Sequence, residues 1–376
     1  MTRTLIVTND FPPRPGGIQT FVHALALRRP PEGVVVYAST WRDPSAFDAA
    51  QPYPVIRDRT SVMLPIPRVV ARAREIARAE GCDSVLYGAA APLGLMAPAL
   101  RRAGVARQVA LTHGHEAGWA ALPGARGMLR RIGDGVDVVT YLGEYTRTRM
   151  APALSSAAGA RMARLAPGVD ERAFNPGVDG SAVRERYGLG DRPVVVCVSR
   201  LVPRKGQDVL VQAWPRIRAR VPGAALLLVG GGPHRRRVEA LVDRHGVRGD
   251  VTITGSVPAA ELPAHYAAGD VFAMPCRTRR RGLDVEGLGM VYLEASATGL
   301  PVVAGDSGGA PDAVLEDETG HVVDGRSPEA VAAAISGLLG DPERARLMGE
   351  KGRSWVEREW RWDLVAARLD ALLTPS

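Results

Sequence analysis

The sequence predicts an α/β protein of two Rossmann-like, doubly wound domains. Three observations carry this. Short runs of Val, Leu and Ile ending in glycine-rich or polar turns alternate with helical periodicities in both halves of the chain. The 376 residues, 46% of them hydrophobic, are enough to fill two cores of ordinary size. Residues 282–312, GLDVEGLGMVYLEASATGLPVVAGDSGGAPD, set two carboxylates around a glycine-bearing turn, start a helix inside that gap, and finish on a buried strand. A charged ligand held there lies at the carboxyl end of a sheet, where doubly wound folds bind.

The first unit begins with a strand at Thr4–Thr8, the turn NDFPPRPGGIQTF, and a helical pattern through Val22, Leu25 and Leu27. It lacks GxGxxG. Gly16 and Gly17 let the backbone approach a ligand at the helix start, and a tight turn explains them equally well. Val34–Ala38 and Ser84–Tyr87 read as strands, and Pro67–Ala79 as a helix. Arg68 and Arg72, with Arg78, put charge along one side of that helix, beside Val69, Val70, Ile76 and Ala77. Such a face is either solvated or membrane-directed. A strand at Val109–Leu111 ends in THGHE, where His113 and His115 point to opposite faces. A lone histidine is more often hydrogen-bonded structure than chemistry. Tyr141 opens a further loop.

The second unit starts with a hydrophobic strand at Pro193–Ser199 that leads into RLVPRKGQDVLVQAW. Arg200 and Lys205 surround the turn before the next helix and concentrate positive charge where a diphosphate leaves. Ala225–Val229 with GGGP, Val251–Thr254 with GSVP, and AHYAAGDVFAMPCR continue the alternation. RTRRRG, 277–282, reads equally as a phosphate-binding run and as a solvated loop. Then come Glu286, just before a helix, and Glu294, inside it. Each alone reads as an ordinary solvated carboxylate. Leu288, Gly289, Met290 and Val291 form the expected first helical turn, whose free N–H groups make a phosphate seat. Gly299 and Pro301 stop the helix, and Val302, Val303 and Ala304 make a strand. WRWDLVAARLDALL is a terminal amphipathic helix.

Composition narrows the function. Cys82, Cys197 and Cys276 are widely spaced, odd in number and without a CxxC pair, so free thiols in a reducing compartment are expected and no structural zinc is implied. The apolar run at Leu5–Val7 is too short for a signal peptide, and no stretch approaches the roughly 20 apolar residues of a bilayer span. The net charge of +8 fits nucleic acid, an anionic membrane or phosphorylated substrates. No aromatic stacking platforms interleave the basic residues, which argues against nucleic acid. Of 48 cations only Lys205 and Lys351 are lysine, so a lysine marks a place that favours a compact ammonium.

With its two glutamates at E-x7-E spacing, the 282–312 stretch resembles the signature of the retaining glycosyltransferases of family four, which have the GT-B fold of two Rossmann-like domains facing a central cleft. The resemblance covers nearly the whole chain, and is densest in 192–312. It implies that Glu286 faces the donor sugar and Glu294 the ribose. Arg200 and Lys205, matching R-x4-K, would serve the leaving diphosphate. Gly16 and Gly17 would border the donor phosphate, His113 with His115 close behind would approach the sugar, and Ser256 and Val257 would lie near the base. ARLAPGVDERAFNP, 163–176, resembles the linking segment, so the expected domains are 1–168, to which 360–376 returns, and 169–359.

NDFPPRPGGIQ, LTHGHE, SRLVPRKGQD and RGLDVEGLG together resemble the GDP-mannose-dependent phosphatidylinositol mannosyltransferases. The implied substrates are GDP-mannose as donor and a phosphoinositide glycolipid as acceptor. The implied location is cytoplasmic, peripheral on the inner face of the cell membrane, against an anionic surface. No cofactor and no metal are expected: Asp284 and Glu286 imitate a metal-binding D-x-D, but two protein cations already face the leaving group, and no other His/Asp/Glu ligand cluster is expected. UDP-sugar transfer to a small-molecule or cell-wall acceptor, and nucleotide-sugar epimerisation on the same fold, are the alternatives. A glycogen-type phosphorylase would need a cofactor lysine that two lysines do not supply.

Overall fold

The structure is a computed structural model that describes residues 3–114, 116–120 and 122–374. It divides into two compact units, Met1–Pro167 with Asp363–Ser376, and Gly168–Trp362.

The first unit is built on seven parallel strands: β1 (Thr4–Thr8), β2 (Val34–Ala38), β3 (Val55–Arg57), β4 (Ser84–Tyr87), β5 (Arg107–Ala110), β6 (Val138–Tyr141) and β7 (Ala163–Arg164). Their order is β3-β2-β1-β4-β5-β6-β7, with β1 paired to β2 and β4, Thr4 opposite both Val34 and Ser84. Helices cover both faces of a parallel sheet, so its inner strands are buried along their whole length and read as continuous apolar runs. The helix Trp362–Leu373 belongs mostly to this unit, where the Leu372 carbonyl accepts from Arg107 Nε at 2.8 Å and Asp370 pairs with the buried Arg29.

The second unit repeats the plan with six parallel strands: β8 (Val194–Val198), β9 (Ala225–Val229), β10 (Val251–Gly255), β11 (Val271–Met274), β12 (Val302–Gly305) and β13 (Gly320–Val323), in the order β10-β9-β8-β11-β12-β13. The order reverses between β8 and β11. At such a switch point the two following connections leave in opposite directions and open a crevice at the strands' carboxyl ends.

Strands β3, β6, β7 and β13 were not expected from sequence, and β5 begins two residues earlier than the Val109–Leu111 run suggests. The expected helix over Pro67–Ala79 forms with those bounds, Pro67 sitting in its first turn, where a missing N–H costs nothing.

Arg68, Arg72 and Arg78 are exposed on this helix, and the first two are ion-paired. Arg68 turns back onto Asp58, donating from Nη1 at 2.9 Å and Nη2 at 2.8 Å, and Arg72 pairs with Glu75 at 2.8 Å. The Asp58 side chain is 1% exposed and also accepts from Tyr37 Oη, so its charge needs the guanidinium. That hydrogen bonding, Arg68 first, holds the Asp58 carboxyl well below the usual range.

All three cysteines are free and buried. Burial pushes the thiols up, to about 11 for Cys82 and Cys276 and about 12 for Cys197, so they stay protonated near neutrality. Among the described residues, no helix is long and apolar enough to cross a membrane.

Candidate active site

In the second unit the turn after β8 carries the two expected cations. Arg200 lies exposed at the strand end. Lys205 ends a short 3₁₀ turn, Pro203–Lys205, and Gly206 then adopts a left-handed φ of 79° before the helix Gln207–Arg220. A Cβ on Gly206 would sit 2.0 Å from the Pro275 carbonyl oxygen. Only glycine lets this turn pack directly on the end of β11, and that contact carries the lysine inward.

Lys205 is 9% exposed, and its Nζ lies 2.8 Å from Glu286 Oε2, on the loop after β11. The two charges come from segments on either side of the switch point. Arg204 stands outside this pair, its Nε 3.7 Å from Glu286 and its Nη1 3.9 Å from Asp284, which also meets Arg279 at 3.4 Å.

The second half of the glycine-rich stretch explains how Glu286 is held. Its N–H donates to Ser307 Oγ at 3.3 Å, and its carbonyl accepts from the Gly309 N–H at 2.9 Å. Cβ atoms on Gly308 and Gly309 would stand 2.1 and 2.2 Å from the carbonyl oxygens of Glu286 and Gly287. The turn after β12 therefore grips the loop backbone without side chains between them.

The helix that follows starts later than expected. It spans Met290–Ala297, with Leu288 before it and Gly289 at its cap in a left-handed conformation, φ 82°. A Cβ on Gly289 would strike the Tyr292 ring at 2.4 Å. Met290 and Val291 are thus the first two helical residues, and Leu288 and Gly289 form the turn that leads into them. Tyr292 anchors this end, its buried hydroxyl donating to the Met274 carbonyl at 2.7 Å.

Glu294, one turn into the helix, accepts from Tyr266 Oη at 2.7 Å. Burial raises its pKa, while the Tyr266 hydrogen bond and the Lys205 charge pull it back down. Neither glutamate is the solvated helix-end carboxylate that each resembles in isolation. Ser256 and Val257 follow β10, and Ser256 Oγ lies against the turn after β9, within 2.7 Å of where a Cβ on Gly231 would be.

Arg204, Tyr266 and Ser307 escaped sequence reasoning. Arg204 had a signal in its adjacency to Lys205. Tyr266 and Ser307 had none, because each reaches its glutamate only through the fold.

In the first unit, Gly16 and Gly17 lie exposed at the start of the helix Gly17–Leu27, at the carboxyl end of β1. His113 sits beyond β5, its Nε2 2.6 Å from the Gly88 carbonyl. Since a carbonyl only accepts, Nε2 carries the proton. His115 lies outside the described residues.

One further cluster corrects the expectation that Asp284 and Glu286 alone could imitate a metal site. In the turn into β13, His321 Nδ1 lies 3.4 Å from Glu316 and 3.2 Å from Asp317. It is at the amino end of its strand, the end opposite the crevice.

Two parallel doubly wound units are the GT-B architecture, and a buried lysine–glutamate pair lies at the switch point of the second. Over residues 181–355 the chain matches the family described as glycosyl transferases group 1. It belongs to that family, the retaining GT-B glycosyltransferases of family four. A GDP-mannose-dependent alpha-(1-6)-phosphatidylinositol monomannoside mannosyltransferase of Mycobacterium tuberculosis is 54% identical over 377 residues, covering 98% of this chain and 97% of that one. The monoacylated-acceptor counterpart of Corynebacterium glutamicum is 46% identical, covering 99% and 97%. The fold matches the crystal structure of Anabaena Alr3699/HepE in complex with UDP, with a TM-score of 0.82 at 19% identity and 99% of each chain covered.

Proposed function

We propose that this enzyme transfers mannose from GDP-mannose to a phosphatidylinositol monomannoside lipid with retention at the anomeric carbon. The observation that carries this is the buried Lys205–Glu286 pair at the carboxyl end of the sheet, 2.8 Å apart. The full-length likeness to mannosyltransferases of that name supports the choice of donor and acceptor.

Lys205 is ion-paired with Glu286 and offers a compact ammonium to an anion beside it. Together with Arg200 and the Met290 and Val291 amides, it stabilises the departing diphosphate, and through it the oxocarbenium-like transition state. Within the second unit Glu286 orients the donor sugar and Glu294 the ribose, and Ser256 and Val257 serve the base. No metal takes part, because Asp284 and Glu286 already face Arg279, Arg204 and Lys205.

The lipid is reached from the membrane surface through the first unit. Asn9 holds Met63 by both backbone groups, at 2.9 and 2.6 Å, with the Met63 side chain buried. Alternation then turns Val62 and Leu64 outward, and with Ile66 they are 47–54% exposed, beside the exposed Arg59. An apolar ridge flanked by a cation suits an anionic leaflet.

The test is transfer with a panel of nucleotide sugars and with vesicles containing the monomannosylated lipid, product anomericity being read by NMR. Mannosyl transfer from GDP-mannose is expected, and Val62→Ser with Leu64→Ser should weaken vesicle sedimentation. Transfer from UDP-sugars alone, or epimerisation without an acceptor, would overturn the assignment.

A further inference from the structure

The basic run before Glu286 is not a loose loop. Arg279 and Asp284 exchange both backbone hydrogen bonds, at 2.9 and 3.2 Å, and close a four-residue apex. Inside it the Gly282 N–H donates to the Arg279 carbonyl at 3.1 Å and the Leu283 N–H to the Arg280 carbonyl at 3.2 Å. Its base is fixed by Arg277, which donates to both oxygens of Asp208 at 2.9 and 2.7 Å.

This closed apex displays two side chains that a solvated turn does not require. Leu283 is 69% exposed, more than any other large hydrophobic residue among those described. Arg280 is exposed and held at a left-handed φ of 50°, a conformation that costs an arginine free energy. A hydrogen-bonded frame that presents one apolar and one cationic side chain together matches an interface whose phosphates lie just outside hydrocarbon.

We infer that the Arg279–Asp284 apex of the second unit is a lipid-contacting element, in which Leu283 enters the headgroup boundary of an anionic bilayer and Arg280 meets lipid phosphate. The inference rests on the lipid-acceptor function proposed above, and adds a membrane contact made by the donor-binding unit itself. Asp284 closes the apex and lies near Arg204, which in turn approaches Glu286. Lipid contact by Leu283 is therefore made three residues before the glutamate assigned to the donor sugar.

The three native cysteines are buried, so a cysteine placed at 283 can be labelled alone. Leu283→Cys carrying an environment-sensitive dye is titrated with phosphatidylinositol vesicles that lack any mannosylated acceptor, and with neutral phosphatidylcholine vesicles, at low salt. The dye emission should rise with the anionic vesicles only. Arg280→Gln in the same background should raise the lipid concentration for half effect about fivefold, the equivalent of one cation at an anionic surface. A dye that stays in water while sedimentation shows the protein docked overturns the inference and leaves docking by the first unit standing. A protein that does not sediment overturns both contacts. A rise in emission without mannosyl transfer to lipid in the separate assay overturns the proposed function and supports the apex contact.

Discussion

Replacing Lys205 by alanine should damage both catalysis and stability, and the structure separates the two losses. The Lys205 and Glu286 side chains are 11% and 9% exposed and meet at 2.8 Å. Truncating one member of a buried pair strands the other charge and costs about 3–5 kcal/mol. Arg204 Nε, at 3.7 Å, remains as a partial partner and places the expected loss near the lower limit, about 3 kcal/mol. For a unit of this size that is a drop of about 6–12 °C in the unfolding midpoint. Turnover should fall about 10²–10³-fold, the loss typical for one preorganised donor at a developing anion. Adding Glu286→Gln removes the stranded charge. The double variant should regain most of the thermal stability but none of the turnover. Calorimetry and initial rates on both variants check this. A single variant as stable as the parent would show the pair is not structural. A double variant with restored turnover would show that Lys205 does not serve the diphosphate.

Three further outcomes follow from the same geometry. Activity should survive EDTA, because the two carboxylates of the D-x-E already have cationic partners; loss that Mg²⁺ or Mn²⁺ restores would contradict this. Burial raises the Glu294 pKa above its ordinary 4.5, so its contribution to stability is complete below pH 4.5 and is lost as pH rises through the folded value. Glu294→Gln should therefore flatten the pH dependence of urea unfolding above pH 4.5 while raising KM for the donor. Arg68→Glu would set a second carboxylate against the buried Asp58 and should lower thermal stability without any lipid present, whereas Arg78→Glu on the exposed side should leave the midpoint within about 2 °C.

The inner strands were legible because parallel strands covered on both faces leave uninterrupted apolar runs such as TLIVT and ALLLV. The edge strands β3 and β7 have three and two residues, too few for any periodicity. The glycines and charges of the site were legible singly. Their pairing was not, since Lys205 and Glu286 meet only when the chain crosses the switch point between β8 and β11. The helix Pro67–Ala79 shows the same limit: its arginines were visible, but Asp58, which takes one of them, lies across a turn that no local pattern announces. Gly289 misled in a different way. It sits within a run that looks helical, and only its left-handed backbone against Tyr292 delays the helix by two residues.

Rarity drew attention to Lys205, yet rarity does not explain it. Lys351 is equally rare and lies exposed on the helix Pro342–Glu359, where an arginine would serve as well. The distinction is volume and donor count. Lys205 is folded inward by a glycine whose Cβ would strike Pro275, and its charge reaches the buried Cys197 and Cys276 as well as Glu286. A guanidinium at that depth would bring five donors and a planar fork into a space with one carboxylate to meet them. Its unmet donors would carry the cost of desolvation. An ammonium is compact, and the Glu286 charge balances it. Arg204, the adjacent residue, shows the complementary choice: a third exposed, it spreads its fork between Asp284 and Glu286 at 3.9 and 3.7 Å. The compact cation therefore balances the buried glutamate, and the planar one bridges the two carboxylates at the mouth. Arg200, the other cation of this turn, stays exposed.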